Sequence, residues 1–341
     1  MRKTLAFLLS LMMLVSCTYA GAESGGRTIS VVTTIFPIYD WVREIVGSDA
    51  AHVQVTLLLD NGVDLHSYQP SAQDILTIST ADLFIYVGGE SDEWVEDVLA
   101  SAMNPDLRAV SLVEAMGGDI RMEETVEGME HGHEHDHDGH EDHDDEDHDH
   151  DAEDRHDHEK DEEEADEHVW LSVRCARKLT AVIAGALTEI DPDFADTYQR
   201  NASAYTEQLA DLDARYTEAV ESAAFKTILF GDRFPFRYLA DDYGLTYYAA
   251  FSGCSAESEA SFATVAFLAQ KVDELGLPAV LTIEHPRTRI AETVVQNTAA
   301  GNQKILVLDS MQGTTLADIE AGMTYLSVME ANLEVLKEAL N

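Results

Sequence analysis

The sequence predicts an α/β protein of two lobes, each a mostly parallel sheet flanked by helices, joined by one long rigid helix. Short apolar strands alternate with amphipathic helical patterns up to residue 122, and the same alternation resumes after residue 223. Between these series Phe194, Tyr198, Tyr205, Leu209, Leu212, Tyr216 and Val220 recur at three, four or seven residues. That spacing places them on one stripe of a helix of roughly 28 residues, about 42 Å long, enough to join two lobes.

The first lobe opens with the strand pattern TISVVTTIF, followed by a helix through Ile38, Trp41, Ile45 and Val46. HVQVTLLL, a helix from Ser71 and the run ADLFIYVGG continue the series, and Val169–Ile190 reads as a further helix. Strands interleaved with helical patterns imply a parallel sheet covered on both faces. The second lobe follows the same rule through TILFG, the GLTYY strand, a helix across Phe262–Leu275, AVLTIEH, another helix, KILVLDS and a terminal helix to Leu340. The expected organisation is a leader at 1–17, a first lobe from 27–122 with 166–192, an insertion at 123–165, a linking helix at 193–222 and a second lobe at 223–341.

Arg2 and Lys3 precede a short apolar run from Leu5 to Val15 that ends in Leu14-Val15-Ser16-Cys17. This reads as a secretory signal with a lipobox, since the run is too short to span about 30 Å of hydrocarbon. Lipid on Cys17 would anchor an exported chain at the outer face of the bacterial cytoplasmic membrane. The alternative is an ordinary cleaved signal with its cut near Ala20 or Ala22. Once Cys17 is lipidated only Cys175 and Cys254 remain, so a single disulfide is open but undetermined by sequence.

The formal charge of −44 argues against nucleic acid, which requires clustered Lys and Arg, and suits cations. Glu130 to Glu167 holds 22 Asp/Glu against only Arg155 and Lys160, a net of −20. The stretch from about Glu123 to Asp166 is almost without apolar residues, so it is expected to be a disordered surface insertion. Ten of the 14 histidines lie in it: His131, His133, His135, His137, His140, His143, His148, His150, His156 and His158. Imidazole and carboxylate together suit zinc and related divalent ions. HEHDH at 133–137 matches HExxH formally, but a zincin needs that motif on an ordered helix. With no G-x-S-x-G and no phosphate-binding loop either, no enzymatic reading is supported.

Outside the insertion stand His52, His66, His168 and His285. His66 lies in DLHSYQPSAQDI, after a strand and before a helix that Ser71 could cap, and His168 lies in DEHVWLS at another helix start. By spacing alone either is a ligand or a structural histidine. His52, at a strand start without a motif, reads as structural.

From Ile29 to Leu340 the chain resembles the zinc- and manganese-specific solute-binding lipoproteins of ABC importers. The segments that carry the resemblance are VVTTIFPIYDWVREIVG, DLHSYQPSAQDI, ADLFIYVGG, DEHVWLS, FGDRFPFRYLADDYGL, VLTIEHPRTRIAETV, LDSMQG and TYLSVMEANLEVLKEAL. The resemblance implies a metal held between two lobes, with ligands at His66 in H-x-Y-x-P and His168 in H-V-W-L. It implies a third ligand after the first strand of the second lobe, where Asp232 is the nearest equivalent within a residue. A fourth is implied at Asp309 in LDSMQG, with Glu257, Glu284 and His285 as substitutes. Implied partners are a permease and its ATPase, with the binding protein a monomer. Two carboxylates suit manganese, whereas the His-rich insertion points to zinc, which also leads manganese in general affinity order. The expected cargo is therefore Zn2+, with Mn2+ as the alternative cargo and a metal-dependent adhesin as the alternative role.

Overall fold

A computed structural model describes residues 27–48, 50–129, 164–255, 259–284 and 288–341. The first lobe holds β1 (Ile29–Thr33), α1 (Phe36–Val46), β2 (Val53–Leu57), α2 (Ala72–Ser79), β3 (Leu83–Tyr86), α3 (Trp94–Ala100), β4 (Arg108–Ser111) and α4 (Leu112–Met116). After the insertion come α5 (Val173–Ile190) and the 28-residue α6 (Ala195–Ser222). The second lobe holds β5 (Thr227–Phe234), α7 (Arg237–Tyr243), β6 (Thr246–Ser252), α8 (Phe262–Leu275), β7 (Ala279–Thr282), α9 (Arg289–Asn297), β8 (Lys304–Val307), α10 (Leu316–Glu320) and α11 (Tyr325–Ala339).

Each sheet has four parallel strands, ordered β2-β1-β3-β4 and β6-β5-β7-β8. The strand order reverses between β1 and β3, and again between β5 and β7. In open sheets of this kind the crevice beyond the carboxyl ends of the strands at such a reversal is where ligands bind.

Local chemistry sets the helix starts. Ser71 and Asp74 form a reciprocal capping box that begins α2, and Ser172 accepts from the Cys175 N–H to begin α5. Val169–Leu171 form a separate 3-10 turn ahead of α5, so the helix expected from Val169 starts four residues later. In α6 the expected stripe is buried, from Tyr198 through Tyr205, Leu209, Leu212 and Tyr216 to Val220. Near its start Asn201 Nδ2 donates to the Ile45 carbonyl of the first lobe (3.0 Å), and near its end the Tyr216 hydroxyl donates to the Met329 carbonyl of the second (2.6 Å). The rod thus ties the lobes together, and one apolar core runs through both, from Ile29 to Leu340.

Further interlobe bonds fix the crevice. The indole N–H of the fully buried Trp170 donates to the Ser310 carbonyl (2.9 Å), and the Tyr325 hydroxyl donates to the Trp170 carbonyl (2.7 Å). The Tyr325 N–H donates to Asp40 Oδ2 (2.8 Å). Burial pushes the Asp40 carboxyl up to about 6, against the lowering effect of that N–H. The native state therefore binds this proton more tightly than the unfolded chain, and stability declines as pH rises through the window from about 4 to 6. Asp40→Asn keeps an acceptor for Tyr325 but cannot ionise. Relative to the variant, the parent should lose up to about 3 kcal/mol between acid and neutral pH, since each tenfold difference in proton affinity between the two states is worth about 1.4 kcal/mol. Urea denaturation of both proteins at about pH 4 and 7.5 measures this, and parallel pH profiles would contradict it.

Part of the expected insertion is ordered. Met122 and Ala165 form an isolated bridge, the Glu123 N–H donates to the Glu164 carbonyl (2.7 Å), and Met129 is buried. The Glu124 carboxylate accepts from the Tyr247 hydroxyl at 3.1 Å, so residues 123–129 lie against the second lobe. The rest of the insertion, with all ten of its histidines, lies outside the described residues, as does the leader with Cys17. Among the described residues no helix is long and apolar enough to cross a membrane.

Candidate metal centre

The chemistry-bearing residues gather at the carboxyl ends of the strands. His66 follows β2 and sits in a short 3-10 turn, Leu65–Ser67, whose N-cap is Asp64, with the Asp64 carboxylate accepting the His66 N–H at 3.0 Å. His168 is fully buried just before the 3-10 turn that precedes α5. The two imidazoles face one another with their Nε2 atoms 3.1 Å apart.

The far side of each ring is held. His66 Nδ1 lies 2.8 Å from Ser91 Oγ and 3.7 Å from Glu167 Oε2. His168 Nδ1 lies 3.0 Å from Asp166 Oδ1, which also accepts the His168 N–H at 2.9 Å. The Asp166 carboxylate only accepts, so it favours the proton on His168 Nδ1 and leaves the His168 Nε2 lone pair available, whereas the Ser91 hydroxyl can accept from or donate to His66 Nδ1. Burial, the neighbouring His168 and Arg233 depress the His66 pKa to about 3, against Asp64, so this ring is neutral across the ordinary pH range. At 3.1 Å the two Nε2 atoms stand at hydrogen-bond distance, a separation that one proton bridges in the metal-free pair and that a cation can bridge in its place. Two nitrogens bound at about 2.0–2.1 Å to a tetrahedral zinc stand roughly 3.3–3.4 Å apart, so the pair is close to ligand spacing.

A third donor comes from the second lobe. His66, His168 and Cys254 form a group whose donor atoms all lie within 4.8 Å of one another. Cys254 follows β6 in Ser252-Gly253-Cys254, and its N–H donates to Glu123 Oε1 at 3.0 Å. Gly253 lets this loop approach: a Cβ there would stand 2.9 Å from both His168 Cε1 and the Phe234 carbonyl oxygen. Both Cys175 and Cys254 are free thiols, so the disulfide left open by the sequence is not formed. Burial and the surrounding Glu123, Glu167 and Asp166 push the Cys254 thiol well up from its ordinary value.

The expected carboxylates are placed differently. The register of β5 against β6 shifts between Phe230 and Arg233, so Gly231 and Asp232 together face the single residue Ala250. This bulge turns Asp232 toward β7, where its Oδ2 accepts from the Thr282 hydroxyl (2.5 Å) and the Ile283 N–H (3.3 Å). Gly231 is required because a Cβ would lie 2.5 Å from the Ala291 Cα of α9. Arg233, one residue on, reaches across the crevice to an ion pair with Asp64. Asp309 accepts the Met311 N–H at 2.8 Å, and burial with the adjacent Glu284 carboxylate raises its carboxyl to about 6. Glu284 is engaged in holding the turn after β8, accepting from the Ser310, Gln312 and Gly313 N–H groups and the Ser310 hydroxyl at 2.7–3.0 Å. Neither Asp232 nor Asp309 joins the two histidines within that spacing, and Glu257 and His285 lie outside the described residues. His52 is structural: it pairs with Asp191 at 2.8 Å and lies 4.1 Å from the Phe194 ring.

Over residues 31–339 the chain matches the family described as "Zinc-uptake complex component A periplasmic". The chain belongs to this zinc-uptake component family. It is 32% identical over 341 residues to the "Zinc-binding lipoprotein AdcA" of Streptococcus pneumoniae strain R6, covering 99% of this chain and 61% of that relative. The chain therefore spans less than two thirds of that protein's length. It is 31% identical over 325 residues to the "High-affinity zinc uptake system protein ZnuA" of Bacillus subtilis, covering 95% of this chain and 92% of the relative. The crystal structure of the Zn(II)-bound ZnuA-like domain of S. pneumoniae AdcA shares the fold with a TM-score of 0.67 and 28% identity, over 92% of this chain and 99% of that one. A laminin-binding adhesin of Streptococcus agalactiae, at 23% identity and a TM-score of 0.68 over 92% of this chain and all of that one, shares the fold alone.

Cys254 and Arg233 were not identified as site residues from the sequence. Cys254 carried a usable signal, since it directly follows a strand of the second lobe, where parallel sheets place their ligand loops.

Proposed function

We propose that this protein is the extracytoplasmic binding component of an ABC importer, capturing Zn2+ between its lobes and handing it to the membrane permease. The observation that carries this reading is the facing pair of imidazole nitrogens, His66 Nε2 and His168 Nε2, 3.1 Å apart and each ring braced from behind. The zinc-binding names of the relatives and the family match support zinc as the cargo. The role is capture and release, not catalysis. Lipid on Cys17 would hold the protein near its permease, and a Cys17→Ala variant that fractionates with membranes as the parent does would remove the anchor from this account.

The His-rich insertion acts in this reading as an auxiliary collector. Its imidazoles lie among many carboxylates, so its field raises the local cation concentration within about 8–10 Å at ordinary salt. A preorganised crevice pays little ordering entropy on binding, whereas donors spread along a segment with so few apolar residues have little from which to build a packed cage. The collector's sites are therefore several and weak. Deleting residues 130–163, which keeps the Met122–Ala165 bridge, should remove weak zinc stoichiometry and spare one tight site in calorimetry. Weak uptake by the intact chain should fade as pH falls through about 6.5, where free imidazoles protonate. Loss of the tight site on deletion would move the transported ion into the insertion.

A further inference from the structure

We infer that Cys254 binds the cation as a thiolate, the S–H bond breaking and its proton passing to solvent as the metal–sulfur bond forms, giving this chain a His2Cys donor set in which the second lobe contributes sulfur rather than a carboxylate. The inference rests on the reading of His66 and His168 as the metal pair and specifies what completes it. Three features of the second lobe converge on it. The bulge at Gly231–Asp232 turns the one carboxylate of β5 onto Thr282 and Ile283. The position that faces the crevice is taken by Arg233, a cation that cannot ligate and that is held by Asp64. Cys254 alone among the second lobe's described Cys, His, Asp and Glu side chains brings a donor atom within 4.8 Å of both imidazoles.

The loop that carries the sulfur is held close to the imidazoles. Glu123, from the ordered base of the insertion, holds the Cys254 N–H, and glycine at 253 allows the loop to approach the His168 ring at a distance a Cβ would forbid. At Zn–N of about 2.0–2.1 Å and Zn–S of about 2.3 Å, tetrahedral nitrogen and sulfur ligands lie roughly 3.5–3.6 Å apart. The observed group, with all its donor atoms within 4.8 Å of one another, needs a closure of at most about 1.3 Å to reach that spacing.

The consequence is selectivity. Thiolate is a soft donor that suits zinc and disfavours manganese, which takes carboxylate, carbonyl and water oxygen. The sulfur would therefore resolve the choice between the two cations through the donor itself.

Cobalt(II) titration of the full chain reads this directly, because only thiolate ligation produces a sulfur-to-cobalt charge-transfer band in the near ultraviolet. The nitrogen and oxygen sites of the insertion are silent in that band, and Cys175 is buried in α5, away from the group. The parent should develop the band up to one equivalent, and zinc should bleach it and protect Cys254 from alkylation. Cys254→Ser should abolish the band, weaken zinc at least tenfold and leave manganese little changed, so the zinc-to-manganese preference falls. Cys254→Ala, with an unaltered far-ultraviolet spectrum, checks that lost binding is not lost folding. No band in the parent, or an unchanged zinc-to-manganese preference in both variants, would overturn the inference. The underlying site reading fails separately, by zinc affinity persisting in His66→Ala and His168→Ala.

Discussion

Replacing His66 or His168 by alanine should each weaken tight zinc binding by at least an order of magnitude, measured by competition with a chelator of known affinity. Even the loss of a partner behind a ligand costs about 10–100-fold, so loss of the nitrogen itself should cost no less. The two substitutions should differ in their effect on folding. His168 is fully buried and bonded to Asp166, and its loss leaves that carboxylate without one of its partners, whereas His66 is partly exposed. His168→Ala is therefore expected to lower the unfolding midpoint of the metal-free protein more than His66→Ala. Unchanged zinc affinity in both variants would remove the histidine pair from the account.

Trp170→Ala should be among the most damaging single changes away from the ligands, costing about 3–5 kcal/mol of unfolding free energy, as expected for a large aromatic side chain lost from a core. The ring is wholly buried, lies 5.1 Å from the His168 ring, and gives the first lobe its bond to the Ser310 carbonyl of the second. Truncation opens a cavity and also leaves that carbonyl unpaired. Trp170→Phe separates the two effects, since it fills much of the space without the N–H and should cost only the orphaned acceptor, about 1–3 kcal/mol. Chemical denaturation of the three proteins decides it. A loss under about 1 kcal/mol for alanine would show that the interlobe seam is not held at this residue.

The architecture was legible because it rests on periodicity. The stripe from Tyr198 to Val220 defines a helix whose buried face is that stripe, and the apolar strand runs reappear as two parallel sheets. His66 and His168 were legible through the motifs around them, and the structure brings their nitrogens together. The second lobe's half of the site was harder to read. A strand's alternation tells which residue faces the crevice only while pairing stays in register, and the bulge in β5 inserts one residue where Gly231 is the only local mark. That exchanges the facing of Asp232 and Arg233. Asp309, expected as the fourth ligand, lies two residues beyond β8, where it accepts from the Met311 N–H beside Glu284. Within the expected insertion, residues 123–129 have structure that composition does not reveal: Met129 is buried, Val126 packs on the core, and Glu124 accepts from the Tyr247 hydroxyl of the second lobe.

The central claim is that the cargo ion sits between the lobes at the histidine pair. Anomalous scattering at the zinc edge from crystals of the zinc-loaded chain, purified without a metal-affinity resin, tests it most directly. The expected result is a dominant peak within about 2.1 Å of both His66 Nε2 and His168 Nε2, the usual zinc–nitrogen distance. A dominant peak at Asp232 or Asp309 without the histidines, or in the insertion with the crevice empty, would contradict it.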